Sequence, residues 1–515
     1  MSRKRSDLNR RQFVTRSAFA AGATTIGGGL FDALVARAAY AAAPDRGRGT
    51  GYGRLTPAGD DLALPPGFQY RVVSTEGDPM DDGFPAPKAM DGMGAFGLPN
   101  GNILLVRNHE DNEDPNRLRP RPSGSTSSSA GILNSVLETD FGPRAFAYDT
   151  YAGGGTSTLV VEPHGQRRLI SQHWSLVGTL RNCAGGVTPW GSWLSSEETL
   201  LNGSPTATSG FAQNHGYNFE VPINTPPGAP AAPVPLRQLG RFAHEAVAVD
   251  PATGIVYETE DQGDVSGFYR FVPNVKPTRP GDLAANGGVL EMMKVRNVDR
   301  YEAGINQHVG HTLDVEWVTI GDPDPTPVGA TIEAFPGSPS TVAGSAVFKQ
   351  GYDLGGIRFR RLEGCWYDRG KIYFVSTNGG QMGFGQVWVH DPVASTLTMI
   401  FESPHHEVCD GPDNCCTTPQ GGLIVCEDAG GTQFLRGISP SGEIFDLARN
   451  LRNTIEFAGV CFSPDGQTLF VNQYGRSTVR TTQPYRSALQ IPVGPERFER
   501  AATLAIWGPW RSGPL

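Results

Sequence analysis

The chain has 515 residues, of which 66 are glycine and 41 are proline, while only 18% are charged. A composition so rich in turn-forming residues favours many short strands over a helical protein. The formal net charge of −9, with no basic cluster beyond the N-terminus, argues against a nucleic-acid-binding protein.

The N-terminus has the pattern of an export signal. Basic residues come first, NRRQFV follows at 9–14, and a weakly apolar stretch at 18–36 leads to the small residues AYA at 39–41. This order predicts a twin-arginine signal peptide over residues 1–41, so the partner would be the twin-arginine export machinery and the mature protein would be periplasmic or secreted. A basic tail beside a short buried helix is the alternative. Since no later stretch has ~18 uninterrupted apolar residues, we expect no membrane anchor after cleavage.

One pattern recurs six times in the rest of the chain: an apolar run, a turn with glycine, a second apolar run, and then polar or acidic residues. The turn glycines are Gly101, Gly191, Gly254, Gly370, Gly421 and Gly466. Each repeat has the signature of a β-hairpin, and the later repeats are about 45 to 50 residues apart, which is typical of propeller blades. The sequence therefore predicts an all-β, six-bladed β-propeller over residues 64–515, after a linker at 42–63. A β-sandwich is the alternative.

Two stretches of low complexity interrupt the earlier repeats. One is serine-rich, at 123–129, and the other is rich in proline and alanine, at 226–235. Such stretches are typical of surface loops, so we expect insertions within one domain rather than domain boundaries.

The two ends of a hairpin lie on the same side of its sheet, so residues at these ends in different blades should meet at the mouth of the central channel. The candidate metal ligands at these positions are Cys183, Glu198, Glu245, Glu260, Glu363 and Glu427. Carboxylates so crowded require raised pKa values or bound cations. Oxygen ligands suit Ca²⁺ or Mg²⁺, whereas a thiolate among them favours a transition metal such as iron. Taken alone, Cys183 fits a buried structural cysteine equally well.

Several longer motifs resemble those of the PhoX-type alkaline phosphatases. They include NCAGGVTPWGSWL at 182–194, RFAHEAVAVDP at 241–251 and IWGPW at 506–510, and the resemblance covers essentially the whole mature chain. It implies a six-bladed propeller that hydrolyses phosphomonoesters with a cluster of Fe³⁺ and Ca²⁺. By the same resemblance, Cys183 binds iron, the five glutamates are iron or calcium ligands, and Arg361 contacts the phosphate.

Two positions depart from that family pattern. Leu362 stands between Arg361 and Glu363 where the family usually has proline, and Ser196 stands where a cysteine often precedes the glutamate pair. Two other functions stay open at this point. One is a Ca²⁺-dependent lactonase-like hydrolase on a six-bladed propeller, which would not need Cys183. The other is a non-catalytic exported propeller that binds a ligand or partner at its mouth.

Overall fold

The computed structural model describes residues 51–111, 142–204, 210–475 and 500–515. The predicted signal peptide and the serine-rich stretch at 123–129 lie outside these ranges, whereas the stretch at 226–235 is mostly exposed, as expected of a surface loop. The regular structure of the described part is mainly strand with few helices, which confirms the all-β prediction.

The first fourteen strands are β1 (Thr56–Pro57), β2 (Leu62–Leu64), β3 (Gln69–Thr75), β4 (Met90–Gly97), β5 (Ile103–His109), β6 (Gly154–Val161), β7 (Leu169–Thr179), β8 (Asn182–Val187), β9 (Ser192–Glu197), β10 (Asn218–Pro222), β11 (His244–Val249), β12 (Val256–Glu260), β13 (Phe268–Pro273) and β14 (Gly288–Val295). The remaining strands are β15 (Thr312–Thr319), β16 (Gly329–Glu333), β17 (Thr341–Ser345), β18 (Leu362–Asp368), β19 (Lys371–Ser376), β20 (Gln386–Asp391), β21 (Thr396–Glu402), β22 (Pro412–Thr417), β23 (Leu423–Glu427), β24 (Phe434–Ile438), β25 (Ile444–Asn450), β26 (Phe457–Phe462), β27 (Thr468–Gln473) and β28 (Ala502–Trp507).

Two α-helices lie among these strands, α1 (Asp282–Asn286) and α2 (Ala346–Asp353). Ser345 caps the N-terminus of helix α2: its hydroxyl accepts a hydrogen bond from the Phe348 N–H at 3.0 Å. With eight residues α2 is the longer of the two, and no helix in the described ranges could cross a membrane.

All six predicted hairpins are present, as β4–β5, β8–β9, β11–β12, β18–β19, β22–β23 and β26–β27. We call them the inner hairpins, numbered one to six in chain order. Each predicted turn glycine has a positive φ, between 69° and 92°. Glycine adopts this left-handed conformation without the steric cost that a side chain would impose, which explains its recurrence at the turns.

The first strands of the inner hairpins form a closed ring. In the order β4, β8, β11, β18, β22 and β26, each strand contacts the next, and β26 contacts β4 again. The second strands and their further partners extend outward as antiparallel sheets, such as β4-β5-β6-β7. This arrangement of small sheets around a centre is propeller-like, and it is not the β-sandwich that the strands alone left open.

Strands from the two ends of the described chain pair in the sheet of the sixth hairpin. Strand β3 pairs with β28, so residues near the N-terminus complete the sheet that the last strands begin. Strand β2 also pairs with β25, and the Tyr52 ring lies 4.9 Å from that of Phe68. Residues 51–63, which the sequence analysis assigned to a linker, therefore belong to the folded domain. Leu62 and the adjoining Leu64 are buried in the hydrophobic core, and the burial of their side chains stabilises this packing.

A buried imidazole holds together the loops beside the second hairpin. His215 Nδ1 lies 2.7 Å from a Glu197 carboxylate oxygen, and its Nε2 lies 3.5 Å from Asp149. All three side chains are fully buried. Burial opposes the charged imidazole, but the two carboxylates outweigh burial and raise the pKa of His215 to about 9.

We expect the stabilising effect of His215 to depend on pH. Because its pKa in the folded protein is raised to about 9, the stabilisation is full below the unfolded value near ~6.5 and is lost as the pH rises through about 9. Its size is on the order of 3 kcal/mol. The unfolding temperature of His215→Gln should lie furthest below that of the wild type at pH 6 and approach it at pH 10. The exposed His164→Gln is the control, and a pH-independent deficit in His215→Gln would contradict the expectation.

Candidate metal centre

Each inner hairpin carries a β-bulge near the start of its first strand. The bulges lie between Met90 and Met93, Asn182 and Gly185, His244 and Val247, Leu362 and Cys365, Pro412 and Cys415, and Ala458 and Cys461. A bulge turns a side chain away from the regular alternation of a strand. We call the residue after the first paired residue the inner position. The six inner positions are Asp91, Cys183, Glu245, Glu363, Asp413 and Ala458. Five of them thus carry a metal-ligating side chain.

A backbone hydrogen bond joins the two ends of every inner hairpin. The N–H of the residue after the second strand donates to the carbonyl of the residue before the first paired residue, at 2.8 to 3.3 Å. The donors, which we call exit positions, are Glu110, Glu198, Asp261, Thr377, Asp428 and Tyr474. The acceptors, which we call rim positions, are Ala89, Arg181, Ala243, Arg361, Gly411 and Glu456. The fold therefore presents three sets of equivalent residues at one end of the ring.

These positions supply two groups of side chains that could hold a cation. In the first, the Cys183 sulfur and carboxylate oxygens of Glu198 and Glu245 all lie within 4.8 Å of one another. In the second, carboxylate oxygens of Glu245, Glu363 and Asp413 do so. Neither Glu245 oxygen has a hydrogen-bond partner in the described part of the chain. A buried carboxylate without such partners fits a site for a positive ion shared between the two groups.

Burial and like charge together determine the protonation of the site. Burial is the largest cause that raises the pKa of Asp91, Glu245 and Glu363 well above the usual carboxyl range, and neighbouring acids raise it further. Burial and then Asp428 raise the pKa of Asp413 to about 8. Burial also raises the pKa of the Cys183 thiol. Without cations, burial and like charge favour the protonated forms of these groups, and a bound metal would favour their ionised forms.

The structure does not bring Glu260 into either group. Its carboxylate accepts hydrogen bonds from Ser345 Oγ at 2.5 Å and from Tyr269 Oη at 2.6 Å. The next residue, Asp261, faces the mouth instead and contacts Arg361. Successive residues of a strand point to opposite sides. If the end of the strand is placed one residue too early, Glu260 rather than Asp261 is predicted to face the mouth.

Glu427 departs from the prediction in the same way. It accepts from Arg436 Nε at 2.7 Å and from the Asp410 N–H at 3.1 Å, on the side away from both groups. Its neighbour Asp428 is the exit residue, and its charge raises the pKa of Asp413 and Glu456. The structure therefore places Glu260 and Glu427 outside both groups. The other four, Cys183, Glu198, Glu245 and Glu363, are brought together.

Sequence reasoning missed several acids of the mouth. The inner residues Asp91 and Asp413, the exit residue Glu110 and the rim residue Glu456 are not among the predicted ligands. In the fifth hairpin Asp413 is the inner residue, and the side chain of the next residue, Asn414, accepts from the Gly459 N–H. These four acids follow or precede a turn at the spacing of the predicted ligands, so the repeat itself could have identified them.

Two arginines lie at the rim. Arg361 donates to both Asp261 oxygens at 3.0 to 3.3 Å and to Glu363 at 2.5 Å. Arg181 donates to Glu110 at 3.1 Å and pairs closely with Glu198. About a third of each side chain is exposed, 34% for Arg361 and 33% for Arg181. Both guanidiniums are thus accessible to a ligand while they contact acids of the centre.

Comparisons with known proteins agree with this architecture. The sequence profile of the family described as "Alkaline phosphatase PhoX" matches residues 50–475. The solved structure of Pseudomonas fluorescens PhoX with vanadate, a transition-state analogue, has a TM-score of 0.60 at 20% identity and covers 90% of this chain and 98% of that one. At this identity the likeness shows the fold alone.

Two further solved structures share less of the fold. A Trichoderma reesei enzyme of carbohydrate-active family AA12 covers 77% of this chain and 99% of its own, with 13% identity and a TM-score of 0.33. A gluconolactonase from Xanthomonas campestris covers 88% and 99%, with 9% identity and a TM-score of 0.35. Neither score supports a functional argument. No curated protein matches the chain significantly.

Metal removal should make the stability of the protein depend on pH. In the unfolded chain the inner carboxyls ionise near pH ~4, whereas in the folded, metal-free protein their pKa values are raised, that of Asp413 to about 8. The stability of the chelator-treated protein should therefore fall as the pH rises from 5 to 8, at up to ~1.4 kcal/mol per pH unit for each such group. Scanning fluorimetry with and without chelator measures this. Asp413→Asn should reduce the slope, and melting curves that chelator leaves unchanged at pH 8 would contradict the expectation.

Proposed function

Because this chain belongs to the alkaline phosphatase PhoX family and is therefore a phosphatase, we propose that it hydrolyses small phosphate monoesters with Fe³⁺ and Ca²⁺ bound at the mouth of its ring. The observation that carries this proposal is the buried, unpartnered Glu245 carboxylate, which is common to the thiol-containing and the all-oxygen group. Neither the lactonase-like nor the non-catalytic alternative has an observation in its favour.

The chemistry of the donors supports two kinds of cation. Cys183 contributes a soft thiolate beside the carboxylates of Glu198 and Glu245, a mixture that suits iron. Glu245, Glu363 and Asp413 contribute oxygen only, which suits Ca²⁺. Bound Fe³⁺ and Ca²⁺ would supply Lewis-acid chemistry by neutralising charge on the phosphate oxygens.

Arg361 is the residue that we propose for phosphate binding. Its planar guanidinium can donate two parallel hydrogen bonds to a phosphate, and its contacts with Asp261 and Glu363 hold it at the mouth. Glu363 and then Asp261 raise its pKa, which favours its charged form. Leu362 stands where the family usually has proline, and with leucine there Arg361 still lies at the mouth, where it can bind phosphate.

The finer architecture and the location of the protein are part of the same proposal. A six-bladed propeller is supported by the ring of six inner hairpins and by the pairing of β3 with β28 in the sheet of the sixth hairpin. The NRRQFV sequence supports export through the twin-arginine machinery to the periplasm or the exterior. That route suits a protein that receives iron before it leaves the cytoplasm.

The direct test is hydrolysis of p-nitrophenyl phosphate by the exported protein, with its iron and calcium content measured on the same preparation. We expect turnover that chelator abolishes and added Ca²⁺ restores, together with bound iron. A gluconolactone assay on the same preparation tests the lactonase alternative. Lactone hydrolysis without phosphatase activity would overturn the proposal.

We expect Cys183→Ser to lose iron while it keeps its fold, because a hydroxyl is a nearly isosteric but much poorer ligand for iron than a thiolate. Phosphatase activity should fall with the iron. Cys461→Ser is the matched control, since Cys461 is also buried but lies outside both groups. Iron content equal to that of the wild type in Cys183→Ser would make Cys183 a structural cysteine only.

We expect Arg361→Lys to slow turnover and weaken phosphate binding about tenfold or more, if the lost charge-assisted hydrogen bond contributes ~1.5–3 kcal/mol. Steady-state kinetics and inhibition by inorganic phosphate measure the effect. Arg369→Lys is the control: Arg369 has the same left-handed backbone, with φ of 48° against 39° for Arg361, but lies in the turn of the fourth hairpin. Equal kinetics for both variants would refute the role.

Export should depend on the arginine pair. Replacement of both Arg10 and Arg11 by lysine should leave the precursor in the cytoplasm, because the twin-arginine machinery requires the guanidinium pair. Cell fractionation and immunoblotting measure the distribution. Normal export of the double variant would indicate an ordinary secretory signal.

A further inference from the structure

The six rim positions are structurally equivalent but chemically different. Each accepts the hydrogen bond that ties its hairpin together. Ala89, Ala243 and Gly411 have side chains too short to reach into the mouth, and Glu456 adds a further acid. Of the six rim residues, only Arg181 and Arg361 carry a cation. Arginine at two equivalent positions therefore singles out the second and fourth hairpins, which flank the third.

The two arginines also make equivalent contacts. Arg361 reaches the exit carboxylate of the preceding hairpin, Asp261, and Arg181 reaches the exit carboxylate of its own preceding hairpin, Glu110. Both charges act on Glu198, whose pKa they lower against the effect of burial. Arg181 contacts Glu198 directly and the charge of Arg361 also acts on it, so both guanidiniums lie near the thiol-containing group.

The backbone of both arginines is unusual in the same way. Arg181 has φ of 46° and Arg361 has φ of 39°, a left-handed conformation that is uncommon for residues with a side chain. At the equivalent position of the fifth hairpin, Gly411 has φ of 59°. Ala89, the rim residue of the first hairpin, has φ of 49°. Four of the six rim positions are therefore left-handed, and Arg181 and Arg361 extend from equivalent backbone frames.

We propose that Arg181 is a second substrate-binding residue. It donates to the phosphate dianion from the second hairpin, whereas Arg361 donates from the fourth, with the third hairpin between them. This inference rests on the proposed phosphatase function. A phosphate dianion offers more oxygens than one guanidinium can contact, and a second planar donor at the mouth adds both charge and orientation. Cations held by Glu198 would draw on its carboxylate, so Arg181 would share its donors between Glu110 and the substrate.

Arg181→Lys tests the proposal, because lysine keeps the charge beside Glu110 and Glu198 but loses the planar fork. We expect the inhibition constant for inorganic phosphate and the KM for p-nitrophenyl phosphate to rise about tenfold, with iron and calcium content unchanged. Arg181→Asn, which tolerates the left-handed backbone but cannot reach the mouth, should show a larger rise. Arg369→Lys is again the control and should stay within about twofold of the wild type.

Two outcomes would overturn the proposal. An unchanged inhibition constant in Arg181→Lys and Arg181→Asn would show that Arg181 does not contact phosphate. A changed constant that follows a loss of iron or calcium would show that it acts only by holding the acids in place. A wild-type protein that hydrolyses no phosphate monoester would instead refute the proposed function itself, so the two failures are distinguishable.

Discussion

The burial of many acidic groups in one small volume is the constraint on which the rest of this structure depends. Burial raises the pKa of the inner carboxyls Asp91, Glu245, Glu363 and Asp413, and neighbouring acids raise it further. Such a set is stable only if it is protonated or if cations replace the protons. The ring therefore has to hold the side chains in place against their repulsion. The bulges and the backbone hydrogen bonds between hairpin ends do this, because neither depends on the charge of the side chains they position.

The opposite faces of the same strands show how the mouth keeps its shape. There, each acid has a partner within the protein: Glu197 contacts His215, Glu258 contacts His244 and Asn218, and Glu427 contacts Arg436. These buried pairs leave few polar atoms unsatisfied, which is what a rigid support requires. Consecutive acids in the chain thus have opposite environments. One of each pair is neutralised by the protein, and the other faces the mouth without a full set of protein partners.

The sequence predicts the fold better than it predicts the site because turns carry local signals and strand ends do not. Gly101 and Gly370 identify their hairpins by the conformation that the turn demands. In contrast, the choice between Glu260 and Asp261 depends on where the strand ends, to within one residue. The bulges add a residue that no local pattern announces, which is why Asp413 rather than Asn414 faces the centre. The spacing of Arg181 from Cys183 equals that of Arg361 from Glu363, so comparison of the repeats could have found the second arginine.

Departures from the internal repeat locate the chemistry within the ring. If all six hairpins were alike, the centre would be a uniform acidic ring with no preferred position for a substrate. Instead, the only thiol at an inner position is on the second hairpin, the arginines at the rim are on the second and fourth, and the sixth inner position is Ala458, which cannot bind a metal. Cys183 and the two rim arginines thus lie around the third hairpin, where Glu245 belongs to both groups that could hold a cation. The fold supplies six equivalent frames, and the identity of a few residues in three of them makes one side of the ring chemically different from the other.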